Sequence, residues 1–255
     1  MILPRLACLL ILGLLATNAA HAQRLVGAMS GKTISINSSF SGETLTLFGN
    51  VEPDIGAEQR HVEGPFDVVM VIRGPAFDRV AREKTHEWGI WLNTEQLVFR
   101  NFPSYFWVLS SDKLSDITDE DTLIREGLLP ETRPQLAVVQ GNGDPQLFGQ
   151  ELVRLMTQRG LFGVDERGVL FQSETLYSAR LSLPANVPNG NFLAYTYLFK
   201  DGVIVSQKAE AFSVRKTGFE RFLGMAAQQQ PWAYGITCVL LAVFTGWLGG
   251  VVFRR

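Results

Sequence analysis

The chain has 255 residues, a formal charge of −2, 46% apolar residues, two cysteines and three histidines. That is too apolar for a disordered chain and not apolar enough for a multi-pass transporter. Its apolar residues are concentrated at the ends: residues 1–22 and 232–253 each hold 16 in 22, so a soluble body lies between two hydrophobic termini.

The N-terminal end carries Arg5, an apolar stretch over 6–20 and then Ala20-His21-Ala22, the small-x-small pattern of a cleavage site. This predicts a signal peptide over 1–22, cleaved after Ala22. The apolar stretch is short for a membrane span. Cys8 precedes the apolar core, which excludes a lipoprotein signal.

Strands follow. Residues 33–36 and 44–47 alternate apolar and polar, with Ser41-Gly42 as turn material between them. Residues 66–72 are almost continuously apolar and β-branched, as in a central strand buried on both faces, and Arg73-Gly74-Pro75 ends it. Further strands are expected at 79–84, 88–92, 96–100 and 105–109.

Near residue 115 the pattern turns helical. Thr118 is the expected N-cap of a short helix with Asp119, Glu120 and Asp121 in its first turn. Asp144-Pro145 reads as a cap with proline at the first helical position, and the helix runs to Gly160. Leu147, Phe148, Leu152, Leu155 and Met156 are its expected apolar face. Strands return at 168–172, 176–183, 192–199, 203–205 and 210–215. Asp201-Gly202 is the strongest hairpin signal, because both turn positions need positive φ. The fold class is therefore mainly β: an immunoglobulin-like β-sandwich over 23–216 with a helical insertion at about 115–160.

Residues 217–231 form an amphipathic juxtamembrane helix, with Phe219, Phe222, Leu223 and Ala226 at helical spacing. The 22 uncharged residues 232–253 are long enough to cross a bilayer, and Arg254-Arg255 form the tail. Trp232 and Tyr234 suit the outer headgroup layer, and the arginines suit the cytoplasm. The expected localisation is single-pass in a bacterial inner membrane, with residues 23–231 in the periplasm. A two-residue tail excludes a receptor that signals through its own cytoplasmic domain.

Site chemistry is sparse. Cys8 leaves with the leader and Cys238 lies in the membrane helix, so the exported part has no disulfide or thiol chemistry. His61 and His86 are far apart and show no zinc spacing. The acidic run from Asp112 to Asp121 lacks the calcium-loop pattern, and Gly141-Asn142-Gly143-Asp144 reads as a turn and cap rather than a phosphate loop. No metal, cofactor or catalytic residue is expected. Residues 23–231 carry 20 basic and 25 acidic side chains, which excludes nucleic acid as a partner. Asn37-Ser38-Ser39 is a formal sequon. Two interaction features stand out. Trp88, Trp91, Tyr105 and Trp107 belong to the densest aromatic patch and are candidates for a ligand or partner surface. Ala242, Gly246 and Gly250 form a small-residue stripe suited to close helix packing.

Several segments together carry a resemblance. They are 38–49 (Ser38 to Gly49), Val69-Met70-Val71-Ile72-Arg73-Gly74-Pro75, Gly89-Ile90-Trp91-Leu92-Asn93, Leu183-Pro184-Ala185-Asn186-Val187-Pro188, Tyr197 to Gly202, Val214 to Gly218, and Gly246-Trp247-Leu248. In this order, behind a signal peptide, the chain resembles the alphaproteobacterial putative transmembrane protein family, whose members share its length and topology. The resemblance carries no catalytic residues. It implies an accessory role beside a sulfite-exporter-type permease. The functional expectation is a non-enzymatic, membrane-anchored accessory or binding protein; the alternative is a tethered periplasmic hydrolase built around His61 or His86.

Overall fold

A computed structural model describes residues 23–36, 41–55, 62–216 and 219–252. The predicted signal peptide, the Asn37 sequon, His61 and the Arg254-Arg255 tail lie outside these residues. The described chain is mainly β and ends in one apolar helix. Its strands are β1 (Gln23–Met29), β2 (Thr33–Ile36), β3 (Gly42–Pro53), β4 (Asp67–Arg73), β5 (Ala76–Glu87), β6 (Ile90–Pro103) and β7 (Phe106–Ser110). They continue with β8 (Val138–Asn142), β9 (Phe162–Asp165), β10 (Val169–Phe171), β11 (Leu176–Pro184), β12 (Gly190–Lys200) and β13 (Val203–Lys216). The helices are α1 (Leu114–Ile117), α2 (Glu120–Arg125), α3 (Pro145–Gln158), α4 (Phe219–Gln229) and α5 (Pro231–Val252).

Three sheets result, in the orders β1-β3-β11-β10, β2-β13-β12-β4-β7-β9 and β5-β6-β8. The first two face each other across one hydrophobic core: Tyr177 of β11 reaches Thr196 of β12, and Gly27 of β1 abuts Glu210 of β13. β4 lies in the middle of its sheet, and Val68 to Ile72 are all buried, as the unbroken β-branched run predicts. Burying each such side chain is worth roughly 1.5–3 kcal/mol, so this strand is a main anchor of the fold. The opposite face of the six-stranded sheet is covered by the connector between β7 and β9 and by the third sheet. Phe99 of β6 meets Phe102, which stacks on Phe162 of β9, and Phe162 touches Phe106 of β7 at a centroid distance of 5.8 Å.

Close approach fixes the first sheet at one point. Gly49 is paired with Tyr177, and a Cβ at Gly49 would fall inside that ring. The expected hairpin at Asp201-Gly202 is present, with φ of 51° and 80°.

The structure corrects several sequence expectations. β1 was not anticipated, because Leu25 is its sole buried side chain and an edge strand needs no strict alternation. The strands at 33–36 and 44–47 enter different sheets: β2 runs parallel to β13, and β3 pairs with β1 and β11. Residues 88–92 and 96–100 are not two strands. Trp88 and Gly89 are the hairpin turn, at φ 52° and 82°, and β6 runs unbroken from Ile90. A tryptophan at positive φ is not a turn signal, so sequence placed a strand there. Likewise 203–205 and 210–215 are one strand, β13.

The helical insertion contains one unexpected strand, β8, and a second, β9, follows it. β8, mostly exposed and lacking alternation, pairs with β6, and β9 pairs in parallel with β7. The cap of α2 is Asp119, whose Oδ1 accepts from Thr122 N at 2.7 Å; Thr118 instead donates to the Gly202 carbonyl at 2.7 Å. Asp144 caps α3 as expected, accepting from Gln146 N at 2.8 Å. The buried face of α3 is rotated from the predicted one: Phe148, Gly149, Val153 and Met156 are buried, whereas Leu147 and Leu155 are exposed. Gly149 allows this rotation by packing against Pro134.

Candidate functional site

One recess on the covered face of the six-stranded sheet brings polar groups together. β4 is apolar from Val68 to Ile72 and ends in Arg73, which register places between Phe106 on β7 and Leu193 on β12. Alternation along a strand puts Val71 and Arg73 on the same face as Tyr195 and Phe106. Two short 3₁₀ turns, Pro130–Thr132 and Pro134–Leu136, then carry the connector past this face with Arg133 between them. The flanking prolines restrict the backbone and fix where Arg133 projects.

Both guanidinium groups sit on the same aromatic ring. Arg133 Cζ is 4.8 Å from the Phe106 centroid, Arg73 Cζ is 5.8 Å from it, and Arg73 also lies 4.8 Å from the Tyr195 ring. Each contact of this kind contributes about 0.5–2 kcal/mol. Arg133 Nη2 donates to the Gly127 carbonyl at 2.6 Å. Among the described residues, the Arg73 side chain has no hydrogen-bond acceptor and neither arginine has an ion-pair partner. The Nε atoms of both are buried without a partner. Burial pushes the Arg133 pKa down to about 10, and the neighbouring Arg73 cation pushes in the same direction, while the Tyr197 phenol opposes them.

The recess has a volume of about 460 Å³. Asn101, Asn191 and Tyr195 join the two arginines at its wall, and Pro75, Leu136 and Leu193 supply apolar surface. None of its described lining residues is a carboxylate. Chemically this is a recess rich in N–H donors and positive charge. It contains neither a thiol nor a histidine among those residues.

The sequence-predicted aromatic candidates fall in two places. Trp88 is 99% exposed and Trp91 68% exposed, both at the tip of the β5–β6 hairpin, where His86 meets Trp91 edge-on at 5.1 Å. Tyr105 and Trp107 belong to the interior instead. Their rings stack at 6.2 Å, Tyr105 also contacts Phe192, and Trp107 lies against Gly163. Tyr105 is fully buried and its hydroxyl has no hydrogen-bond partner; burial raises its pKa well above that of an ordinary phenol. Ala242, Gly246 and Gly250 lie on α5, and a Cβ at either glycine would meet nothing. The acidic run serves local caps: Asp112 accepts from Lys113 N, and Asp119 caps α2, a bond that lowers its pKa. Among the described residues no cluster of three metal-ligating side chains occurs.

Neither Arg73 nor Arg133 is among the site residues expected from the sequence. The signals in the sequence are an arginine directly after the apolar run 68–72 and an arginine held between two prolines. Each is weak alone, and the two are 60 residues apart in the chain.

A family model described as "Putative transmembrane protein" matches residues 24–255. The chain belongs to this family, alphaproteobacterial by name, as the resemblance implied. No curated protein matches it.

Proposed function

We propose that this member of the transmembrane family is an exported binding protein, tethered to the bacterial inner membrane as a non-enzymatic accessory subunit of a sulfite-exporter-type permease. The observation that carries this reading is α5. It has 22 residues, a mean hydropathy of 2.0 and no part of its apolar window buried in the rest of the chain. At 1.5 Å per residue it reaches about 33 Å, enough for a hydrocarbon core of about 30 Å. A body of thirteen described strands joined to one bare helix suits a tether that presents the body at a membrane surface.

In this reading residues 23–231 face the periplasm and Arg254-Arg255 face the cytoplasm, in keeping with the positive-inside preference. The Ala242-Gly246-Gly250 stripe packs against a permease helix, because small residues let two backbones approach closely. The Trp88–Trp91 tip is a second contact for the partner, since exposed aromatic side chains dominate protein interfaces. The test is crosslinking of the native full-length protein in membranes, followed by purification in mild detergent. A multi-pass permease is expected among the adducts, and Gly246→Leu with Gly250→Leu should reduce its recovery at least fivefold. Recovery of the uncrosslinked protein alone, under several crosslinkers and detergents, refutes the reading.

A further inference from the structure

We infer that the recess between β4, β7, β12 and the Pro130–Leu136 connector is an anion-binding site, in which Arg73 and Arg133 together hold the oxyanion group of a small sulfonate, sulfate or phosphate. This inference rests on the binding-protein reading above and gives it a ligand class.

The argument is electrostatic. Two guanidinium groups share one aromatic ring in a partly buried recess, and the charges acting on Arg133 include Arg73 but no carboxylate. Charges withdrawn from water are usually paired, because desolvation and like-charge repulsion are both unfavourable when nothing opposes them, and Arg73 and Arg133 are each half-buried. The ion pairs among the described residues use other cations: Arg24 with Glu52, Arg100 with Asp78, Arg125 with Glu126, Arg154 with Glu151 and Lys208 with Glu210. Glu126 pairs with Arg125 and with neither Arg73 nor Arg133. At this recess the lining adds the side-chain amides of Asn101 and Asn191, whose NH2 groups can donate, and no carboxylate.

Geometry selects the class of ligand. The Phe106 and Tyr195 rings hold the two guanidinium groups beside them, and a guanidinium presents its N–H groups as a planar fork that matches the oxygens of sulfur and phosphorus oxyanions. A monatomic anion cannot bridge forks in this way. A volume of about 460 Å³ exceeds what one oxyanion fills, and Pro75, Leu136 and Leu193 line the remainder. An oxyanion bearing a short apolar tail therefore fits better than the bare ion. The same headgroup chemistry occurs on a free solute and on an anionic phospholipid.

The test uses full-length protein in a non-ionic detergent at constant ionic strength, with hexanesulfonate, sulfate and phosphate as probes and chloride as the control. The melting temperature is expected to rise by about 5–10 °C at a hundredfold excess over Kd. Arg73→Gln and Arg133→Gln should each weaken binding at least tenfold, and Arg73→Lys, which keeps the charge but loses the fork, should also weaken it. A second measurement needs no variant. Phenylglyoxal labelling of the wild-type protein, mapped by mass spectrometry, should be blocked by hexanesulfonate at Arg73 and Arg133 but not at exposed Arg154. Short-chain phosphatidylglycerol, set against phosphatidylcholine, separates the two sources: competition by the former assigns the site to a lipid headgroup, and its absence assigns it to a free anion. A shift no larger than that of chloride, with no protection at either arginine, overturns the proposal. It leaves the accessory reading intact if a permease is still crosslinked; anion binding without a crosslinked permease overturns the accessory reading alone.

Discussion

Removing one oxygen atom from the core should stabilise this protein. Tyr105 is fully buried, its ring stacks on Trp107 and meets Phe192 edge-on, and its hydroxyl has no partner. Tyr105→Phe keeps every ring contact and deletes only the orphaned group. A buried hydroxyl without a partner costs about 1–3 kcal/mol. Taking the lower end, because the ring neighbours relax little, the variant gains about 1 kcal/mol, which is about 2–4 °C in melting temperature for a body of this size. Tyr177→Phe is the matched control: Thr196 bonds the Tyr177 hydroxyl, so that variant should lose about 1 kcal/mol. Thermal and urea unfolding of the full chain in detergent, followed by far-ultraviolet circular dichroism, measures both. A loss of more than about 0.5 kcal/mol in Tyr105→Phe would refute the reasoning, because it would require a partner for the hydroxyl.

Alkaline solution probes the same phenols. Burial raises the pKa of Tyr105, Tyr177 and Tyr197 above the ordinary value, so the folded state holds protons that the unfolded state releases above about pH 10. Stability therefore falls as pH rises, by about 1.4 kcal/mol per unit for each strongly shifted phenol. Arg133, lowered to about 10, acts in the opposite sense up to its ordinary range and offsets one of them. Melting temperatures at successive pH values should show a net decline above pH 10 that is shallower in Tyr105→Phe; an identical slope in both proteins contradicts the assignment. Gly49→Ala should cost about 1–3 kcal/mol by forcing the Tyr177 ring out of place. The penalty should vanish in a Tyr177→Ala background, and an equal penalty in both backgrounds sinks the explanation.

How far the sequence could be read depended on whether a feature was local. The unbroken run at Val68–Ile72, the Asp144-Pro145 cap and the Asp201-Gly202 turn each depend on a few adjacent residues, and each is present as expected. β1 and β8 escaped notice because edge strands bury little and need no alternation. Trp88 misled because its positive φ arises from the pairing of β5 with β6, not from its own preference. The aromatic patch looked like one cluster because its members are close in sequence. The β5–β6 hairpin carries Trp88 and Trp91 to its tip, whereas the β6–β7 connection and β7 turn Tyr105 and Trp107 toward the core.

Sequence by itself determined the mainly β character, the one membrane-length helix and the family, since these follow from composition, period and uninterrupted hydrophobicity along the chain. Tertiary structure alone decided which strands share a sheet and which charges meet. Arg73 and Arg133 are each an ordinary arginine in the linear chain; they become neighbours because β4, β7 and β12 align in register and the proline-flanked connector crosses them. Electrostatic interaction depends on distance through space, and distance along the chain says nothing about it until the core has closed.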